Sequence, residues 1–220
     1  IREDRLRAYL RLSGYSQKLI DGAVTELVKA AGDMTHGLYD ANRNVYTLLK
    51  YGAKVKETPE GAPKTVYFMD VVTPTNNDFA IAEEVTVVDR QEKRPDLVIY
   101  VNGIAMAVIE LKKSSVSVSN GIRQNLTNQK DGFIASFFTT IQFCMAGNET
   151  EGLRYGTILT GEKYYMEWEP DGFHISEDER DPEDVRIMAY CEKLDNLLLQ
   201  QIYQMFDKNR FIDLIENFVI

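Results

Sequence analysis

Apolar residues recur at helical spacing through the first fifty positions of the chain. Between positions 16 and 32 they fall on one face of a helix: Leu19, Ile20, Ala23, Val24, Leu27 and Val28. The pattern predicts a helical segment from Glu3 to Ala31 that is broken near Gly14 and has Gly32 as its C-cap. A second helix is predicted over ANRNVYTLLKYG and ends at Gly52.

The periodicity then changes from helical to strand-like. Turn residues separate apolar runs that predict strands over residues 65–72, 78–88, 96–101 and 104–111. After these strands we predict a helix from about Ser119 to Phe137, two strands within TIQFCMAG and LRYGTIL, and a short strand in YYMEW. A helix from Asp181 to about Phe206 and an amphipathic helix, FIDLIENFVI, follow an acidic stretch.

The clearest local signal is a hairpin, because Asn102-Gly103 lies between two apolar runs. The two predicted strands carry Asp96 near one end and Glu110 and Lys112 near the other. A charge inside a buried strand is costly unless it is paired or holds a metal. Glu110 and Lys112 are two residues apart on one strand, so their side chains project from the same face.

The register of this hairpin decides whether Asp96 joins the other two charges. A regular hairpin with a two-residue loop places Asp96 opposite Ile109, on the wrong face of the sheet. A three-residue loop or a β-bulge places it opposite Glu110, with about 4.5–5.5 Å between the Cβ atoms. We therefore predict a three-residue loop or a bulge between Asp96 and Glu110.

Two carboxylates at that distance repel each other unless a cation lies between them. Oxygen ligands with room for water suit Mg²⁺ or Mn²⁺, and the backbone carbonyl of Leu111 could add a ligand. Lys112 could then reach an attacking water or a phosphate oxygen, which is the set of groups that phosphodiester hydrolysis needs. The alternative is structural: Asp96 caps its strand, and Glu110 and Lys112 form an ion pair at an exposed strand end.

Length and composition indicate a sizeable core, with 220 residues of which 44% are apolar. The chain has no run of eighteen apolar residues and its polar N-terminus has no signal-peptide core, so we expect a cytoplasmic protein without a membrane span. Cys144 and Cys191 fit reduced core positions better than a disulfide framework. The two histidines, His36 and His174, are far apart in sequence, so the cysteines and histidines do not have the spacing of zinc ligands.

Acidic residues are concentrated in one segment. The net charge is −9, but residues 167–184 hold nine acidic residues and one basic residue, a local charge of −8 that leaves about −1 for the rest. Such a run is typical of a solvated loop. The charge argues against tight, unaided, non-specific binding of DNA, which would need a basic surface.

The sequence Pro95-Asp96 followed by Glu110-Leu111-Lys112 resembles the PD-(D/E)xK nuclease motif. Further segments match in the same order: NNDFAIAEEVTV, KRPDLVIYVNGIAMAVIELKKS, GIRQNLTNQ and FFTTIQFCMAGNETEGLRYGT. From about Asn76 to Trp168 the chain resembles the N-terminal nuclease region of type I restriction enzyme R subunits. The resemblance implies an α/β fold, restriction-endonuclease-like, in which helices flank a mixed central sheet.

The resemblance also implies roles for individual residues. Asp96 and Glu110 would be metal ligands, and Lys112 would orient water or contact phosphate. The family tends to carry a Gln followed four residues later by a Tyr; Gln124 matches the first position, but Asn128 stands at the second. Some nucleases of this superfamily have a further metal-ligating glutamate on the first helix, and Glu26 is the candidate for that residue. Gln124 and Glu26 could instead be ordinary exposed helix residues.

The implied function is Mg²⁺-dependent cleavage of double-stranded DNA. We expect residues 1–64 to form a helical segment packed on a nuclease core, 65–169, and residues 170–220 to lead to motor domains. Only those domains would use ATP, since GTILTGEKYY lacks the Ser/Thr of a phosphate-binding loop. Modification and specificity subunits are the implied partners. The alternative is an inactive docking module, which Asn128 and the acidity favour; the acidity disfavours a free-standing repair nuclease.

Overall fold

A computed structural model describes residues 1–168 and 196–219. Its α-helices are α1 (Glu3–Leu12), α2 (Gln17–Gly32), α3 (Leu38–Tyr51), α4 (Val118–Asn128), α5 (Leu197–Met205) and α6 (Lys208–Asn217). Its strands are β1 (Ala53–Val55), β2 (Lys64–Val66), β3 (Phe79–Glu83), β4 (Val87–Val88), β5 (Glu92–Lys93), β6 (Leu97–Val101), β7 (Ile104–Leu111), β8 (Phe143–Asn148), β9 (Gly152–Gly156) and β10 (Met166–Glu167). Short 3₁₀ helices lie at Pro74–Asn76, Ala135–Thr139 and Glu162–Tyr164.

A mixed sheet of six strands in this described part forms the centre of the molecule. Its order is β10-β9-β8-β7-β6-β3, in which β7 and β8 are parallel and the other neighbours are antiparallel. The two small hairpins, β1–β2 and β4–β5, lie outside this sheet. The predicted α/β architecture, a mixed central sheet flanked by helices, is confirmed.

Apolar side chains cover both faces of the central strands. On one face Ile99, Ile109 and Met145 pack in a cluster with residues of α1, α2, α3 and α6. On the other face Val98 and Val108 pack against the segment that includes Phe138, and α4 lies over Ala146. Because both faces are buried, β7 and β8 are almost continuously apolar. A charged residue on them therefore stands out in the sequence.

The hairpin prediction is confirmed, and the arrangement contains a bulge. Val101 pairs with Ile104, so Asn102 and Gly103 form a two-residue loop, and both have the positive φ that a type I′ turn requires. The register then shifts: Tyr100 pairs with Ala105, but Ile99 pairs with Ala107, which leaves Met106 as the extra residue. Met106 and Ala107 are consecutive residues, yet both lie in the same core cluster. The regular alternation of side chains between the two faces of the sheet is therefore interrupted at this bulge and resumes after it.

The strand predicted over residues 65–72 is wrong beyond Val66. The chain turns instead, because the Asp70 carboxylate accepts hydrogen bonds from the backbone N–H groups of Val72 and Thr73. This local side-chain bonding competes successfully with extended pairing.

Two other predicted elements are shorter than expected. The strand predicted over 78–88 is interrupted at Glu84, which has a φ of 48°, and the chain re-forms as the separate β4–β5 hairpin. The helix predicted to Phe137 ends at Asn128, and Gly132, with a φ of 90°, redirects the chain before the 3₁₀ helix. The predicted helix from Asp181 lies mostly outside the described residues; its described end, α5, runs to Met205.

Candidate active site

Asp96 lies where the bulged register predicts, beside Glu110. Leu97 pairs with Ile109, so the next position outward brings Asp96 opposite Glu110. The half-buried Asp96 accepts a hydrogen bond through Oδ2 from the backbone N–H of Leu111, at 2.7 Å. This bond fixes the carboxylate at the open end of the hairpin, on the same side as the Glu110 side chain.

Glu110 is a fully buried carboxyl group near the end of β7. Gln124 donates a hydrogen bond from Nε2 to its Oε2 at 2.6 Å, whereas its Oε1 has no partner among the described residues. Burial raises the pKa of Glu110 to about 8, and the nearby Asp96 carboxylate adds to the increase while Lys112 opposes it. Without a cation, the site therefore disfavours the charged form of Glu110 at neutral pH.

Lys112 and Gln124 complete the set of polar groups. The Lys112 ammonium lies 3.8 Å from Glu110 Oε2 and donates to the Gln124 Oε1 at 2.9 Å and to the Leu111 carbonyl at 3.2 Å. Gln124 thus contacts the carboxylate with its amide nitrogen and the lysine with its amide oxygen. The structure brings Asp96, Glu110, Lys112 and Gln124 together, along with the predicted Leu111 carbonyl.

Gly121 allows α4 to approach the sheet closely enough for these contacts. A Cβ atom at this position would lie 2.8 Å from the Ala146 Cβ and 3.3 Å from the Glu110 carbonyl oxygen. Gln124 lies three residues further along the same helix, so the close approach at Gly121 also brings Gln124 over Glu110. Gly121 was not among the residues predicted for the site, although a glycine inside a helix that packs closely is a recognisable signal.

Replacing Gly121 with Ala is expected to destabilise the protein by about 1–3 kcal/mol, because the helix must move away from β8 to make room for the methyl group. At an exposed helix position the same change stabilises the protein by up to about 1 kcal/mol. The sign of the change in the free energy of unfolding therefore distinguishes a closely packed Gly121 from an exposed one. Urea unfolding of Gly121→Ala measures it, with the exposed neighbour Asn120→Ala as the matched control. A stabilised Gly121→Ala variant would refute the close-packing explanation.

Glu26 and Asn128 do not join the site as the family pattern would suggest. Glu26 is exposed on α2, and no group of three His, Cys, Asp or Glu side chains within residues 1–168 and 196–219 could hold a metal. Glu26 is therefore not brought together with the two carboxylates. Asn128 is 3% exposed at the end of α4, so this position does not present a side chain to solvent.

Other sequence expectations have simpler outcomes. Cys144 is a buried free thiol, as predicted, whereas Cys191 and most of the acidic segment lie outside the described residues. In the part of the chain that the structure covers, no helix has the length and apolar character needed to cross a membrane.

Two comparisons with known proteins both find similarity to type I restriction enzymes. The profile of the family described as Type I restriction enzyme R protein N terminus matches residues 2–163. A protein of Methanocaldococcus jannaschii, named type I restriction enzyme MjaIXP endonuclease subunit, is 26% identical over 194 residues. This match covers 80% of the chain but 18% of the relative, so the chain spans less than a fifth of that curated relative's length.

Proposed function

The chain belongs to the family of type I restriction enzyme R protein N termini, and from this premise we propose that it is the nuclease module of such an enzyme. The reaction is Mg²⁺-dependent endonucleolytic cleavage of double-stranded DNA, on a fold of the PD-(D/E)xK type. One observation carries the proposal: two carboxylates, a lysine and a glutamine converge at the end of the bulged hairpin.

The donor set fits a divalent cation. Glu110 Oε1 is buried with no described hydrogen-bond partner, and burial, together with the nearby Asp96 carboxylate, raises the pKa of Glu110. A cation would relieve both the missing interaction and the repulsion between the two carboxylates. Asp96, Glu110 and the Leu111 carbonyl would hold it, and Mn²⁺ should substitute for Mg²⁺ because both prefer oxygen ligands.

When bound, Mg²⁺ would supply a water of lowered pKa and electrostatic stabilisation of the phosphate. The chain's own groups then orient the reactants. Lys112, held by Gln124 and the Leu111 carbonyl, would direct a water or a phosphate oxygen. Gln124 keeps the Glu110 carboxylate in one orientation. Exclusion of solvent from Glu110 strengthens each of these electrostatic contacts.

Family membership, and not this site, supports what we propose for the partners and the energy source. We propose that modification and specificity subunits recognise the DNA sequence, and that ATP acts only through motor domains elsewhere in the enzyme. DNA delivered by such partners need not bind tightly to this acidic module. The competing function is a catalytically inactive docking module, which the buried Asn128 favours because no aromatic side chain stands at that position.

Calorimetric titration of Mn²⁺ into the isolated chain tests the proposal. We expect binding by the wild type and its loss in Asp96→Asn and Glu110→Gln, which preserve side-chain shape but remove a ligand charge. Glu149→Gln changes an exposed acid and should bind normally. Bound metal should also raise the melting temperature of the wild type.

The titration is repeated with a short DNA duplex, because a phosphate oxygen could complete the site. Absence of Mn²⁺ binding both with and without the duplex would reject the nuclease proposal and favour the docking module.

A further inference from the structure

The start of helix α4 is held by a side chain from the turn between β8 and β9. Glu151 Oε1 accepts a hydrogen bond from the backbone N–H of Val118 at 3.0 Å, and Oε2 accepts one from the Ser117 hydroxyl at 3.4 Å. Val118 is the first residue of α4. A negative charge at this end of a helix is also favourable because the helix dipole is positive there.

The first turn of the helix shows how much depends on Glu151. Ser119 N–H donates to the Ser117 hydroxyl, and Asn120 N–H donates to the Ser117 carbonyl. The Val118 N–H is the remaining donor of the three, and Glu151 is its acceptor. Buried helix ends need such partners for their free N–H groups, and Val118 is 1% exposed.

Glu151 is itself held in a fixed place. Asn148, which is 1% exposed, donates from Nδ2 to Glu151 Oε1 at 3.2 Å and to the Val116 carbonyl at 2.8 Å. Its Oδ1 accepts from the backbone N–H groups of Thr150 and Glu151. This closed turn follows directly from β8, so Glu151 ties the helix to the sheet.

The position of α4 matters because Gln124 on that helix contacts both Glu110 and Lys112. The Gln124 amide donates to Glu110 Oε2 at 2.6 Å and accepts from Lys112 Nζ at 2.9 Å. Hydrogen bonds weaken steeply with small errors of distance and angle, so a shift of the helix by about 1 Å would break this bridge.

Other attachments of α4 do not replace Glu151. Asn125 donates to the Met145 carbonyl at 2.8 Å and fixes the middle of the helix against β8. Arg123 forms a bidentate ion pair with Glu162. Its side chain is 62% exposed, and exposed ion pairs contribute little to stability. At the first turn Val118 packs in an apolar cluster with Ala146, and Glu151 supplies the side-chain hydrogen bonds from outside the helix that fix the orientation of this turn.

We propose that Glu151 is a positioning residue of the site: it sets the first turn of α4, thereby Gln124, and through Gln124 the orientation of Glu110 and Lys112. The relevance of this role to catalysis rests on the proposed function. Glu151 acts without contacting DNA or the metal, and it is absent from the PD-(D/E)xK motif residues found in the sequence.

The test compares Glu151→Ala with Glu151→Gln, which retains an acceptor oxygen for the Val118 N–H. The matched control is Glu149→Ala, an exposed acid in the same turn. Nuclear magnetic resonance of the metal-free chain reports the side-chain amide signals of Gln124. We expect shifted, slowly exchanging signals in the wild type, in Glu151→Gln and in the control, and free-glutamine values in Glu151→Ala.

Calorimetry with Mn²⁺ gives the second measurement. We expect about a 10-fold loss of affinity in Glu151→Ala, the size typical for groups that orient metal ligands, and recovery in Glu151→Gln. Unchanged Gln124 signals and unchanged affinity in Glu151→Ala would overturn the proposal. If the wild type binds no Mn²⁺ either with or without the DNA duplex, the proposed function fails, but the amide signals still decide whether Glu151 positions α4.

A second variant covers the case in which Glu151→Ala does not fold. Val118→Pro removes the N–H that Glu151 accepts while leaving Glu151 in place. Proline is well tolerated at the first position of a helix, and Ser117, with φ −57° and ψ 139°, has the backbone conformation that a following proline requires. We expect the same change in the Gln124 signals; their persistence would count against the proposal.

Discussion

Glu110→Gln is expected, under the proposed function, to lower DNA cleavage by the assembled enzyme by about 10³-fold or more. The variant keeps the shape of a fully buried side chain but removes the negative charge that would hold the cation. Stabilisation by a catalytic metal is worth several kcal/mol, and about 4 kcal/mol corresponds to a 10³-fold change in rate. Cleavage of a plasmid with one recognition site, followed over time, measures the loss.

Subunit assembly and ATP hydrolysis serve as controls, because the proposed function assigns both to other parts of the enzyme and neither to the carboxylate pair. Glu149→Gln is the matched variant, since Glu149 is an exposed acid beside the same sheet. Cleavage by assembled Glu110→Gln enzyme at more than a tenth of the wild-type rate would contradict the assignment of Glu110 as a metal ligand.

The metal-free wild-type chain should lose stability as the pH rises from about 5 to about 8. The pKa of Glu110 is raised to about 8 in the folded protein, mainly by burial, from an ordinary value of 4.5. Between these values the folded protein binds a proton that the unfolded protein does not, so the free energy of unfolding falls with increasing pH. The total loss from this group is on the order of a few kcal/mol, and it levels off above pH 8.

Glu110→Gln isolates this effect because glutamine does not titrate. The difference in unfolding free energy between the variant and the wild type, measured by urea in EDTA, should grow in favour of the variant up to about pH 8. Other titrating groups are common to both chains and cancel in the difference. Parallel pH profiles would contradict the raised pKa, and Mg²⁺ should reduce the difference because it binds the charged carboxylate.

The sequence predicted which charged residues would lie together better than it predicted some neighbouring elements. Asn102-Gly103 fixes the hairpin turn, and two-residue spacing places Glu110 and Lys112 on one face. The need for a bulge followed from requiring Asp96 to face Glu110, but its location did not. Residues 104–109 are all apolar, so no change of pattern marks Met106 as the extra residue.

The incorrect elements have local causes that an apolar pattern does not contain. The run from Thr65 to Val72 looks like a strand, yet the Asp70 side chain bonds the backbone of the following residues and turns the chain. Gln124 was identified only through the family resemblance, because its role depends on its hydrogen bonds with Glu110 and Lys112, which the sequence does not show. The importance of Gly121 and Glu151 depends on distances between elements, which a single sequence does not give.

The bulge at Met106 also bears on how this hairpin can change during evolution. A hairpin with the same loop but no residue at this position would have twelve residues between the two acids instead of thirteen, and regular pairing would still set the acids opposite each other. A single insertion or deletion in β6, which carries no extra residue, would instead turn one acid to the other face. The bulge is therefore the point at which relatives can differ in length by one residue while the two acids stay paired.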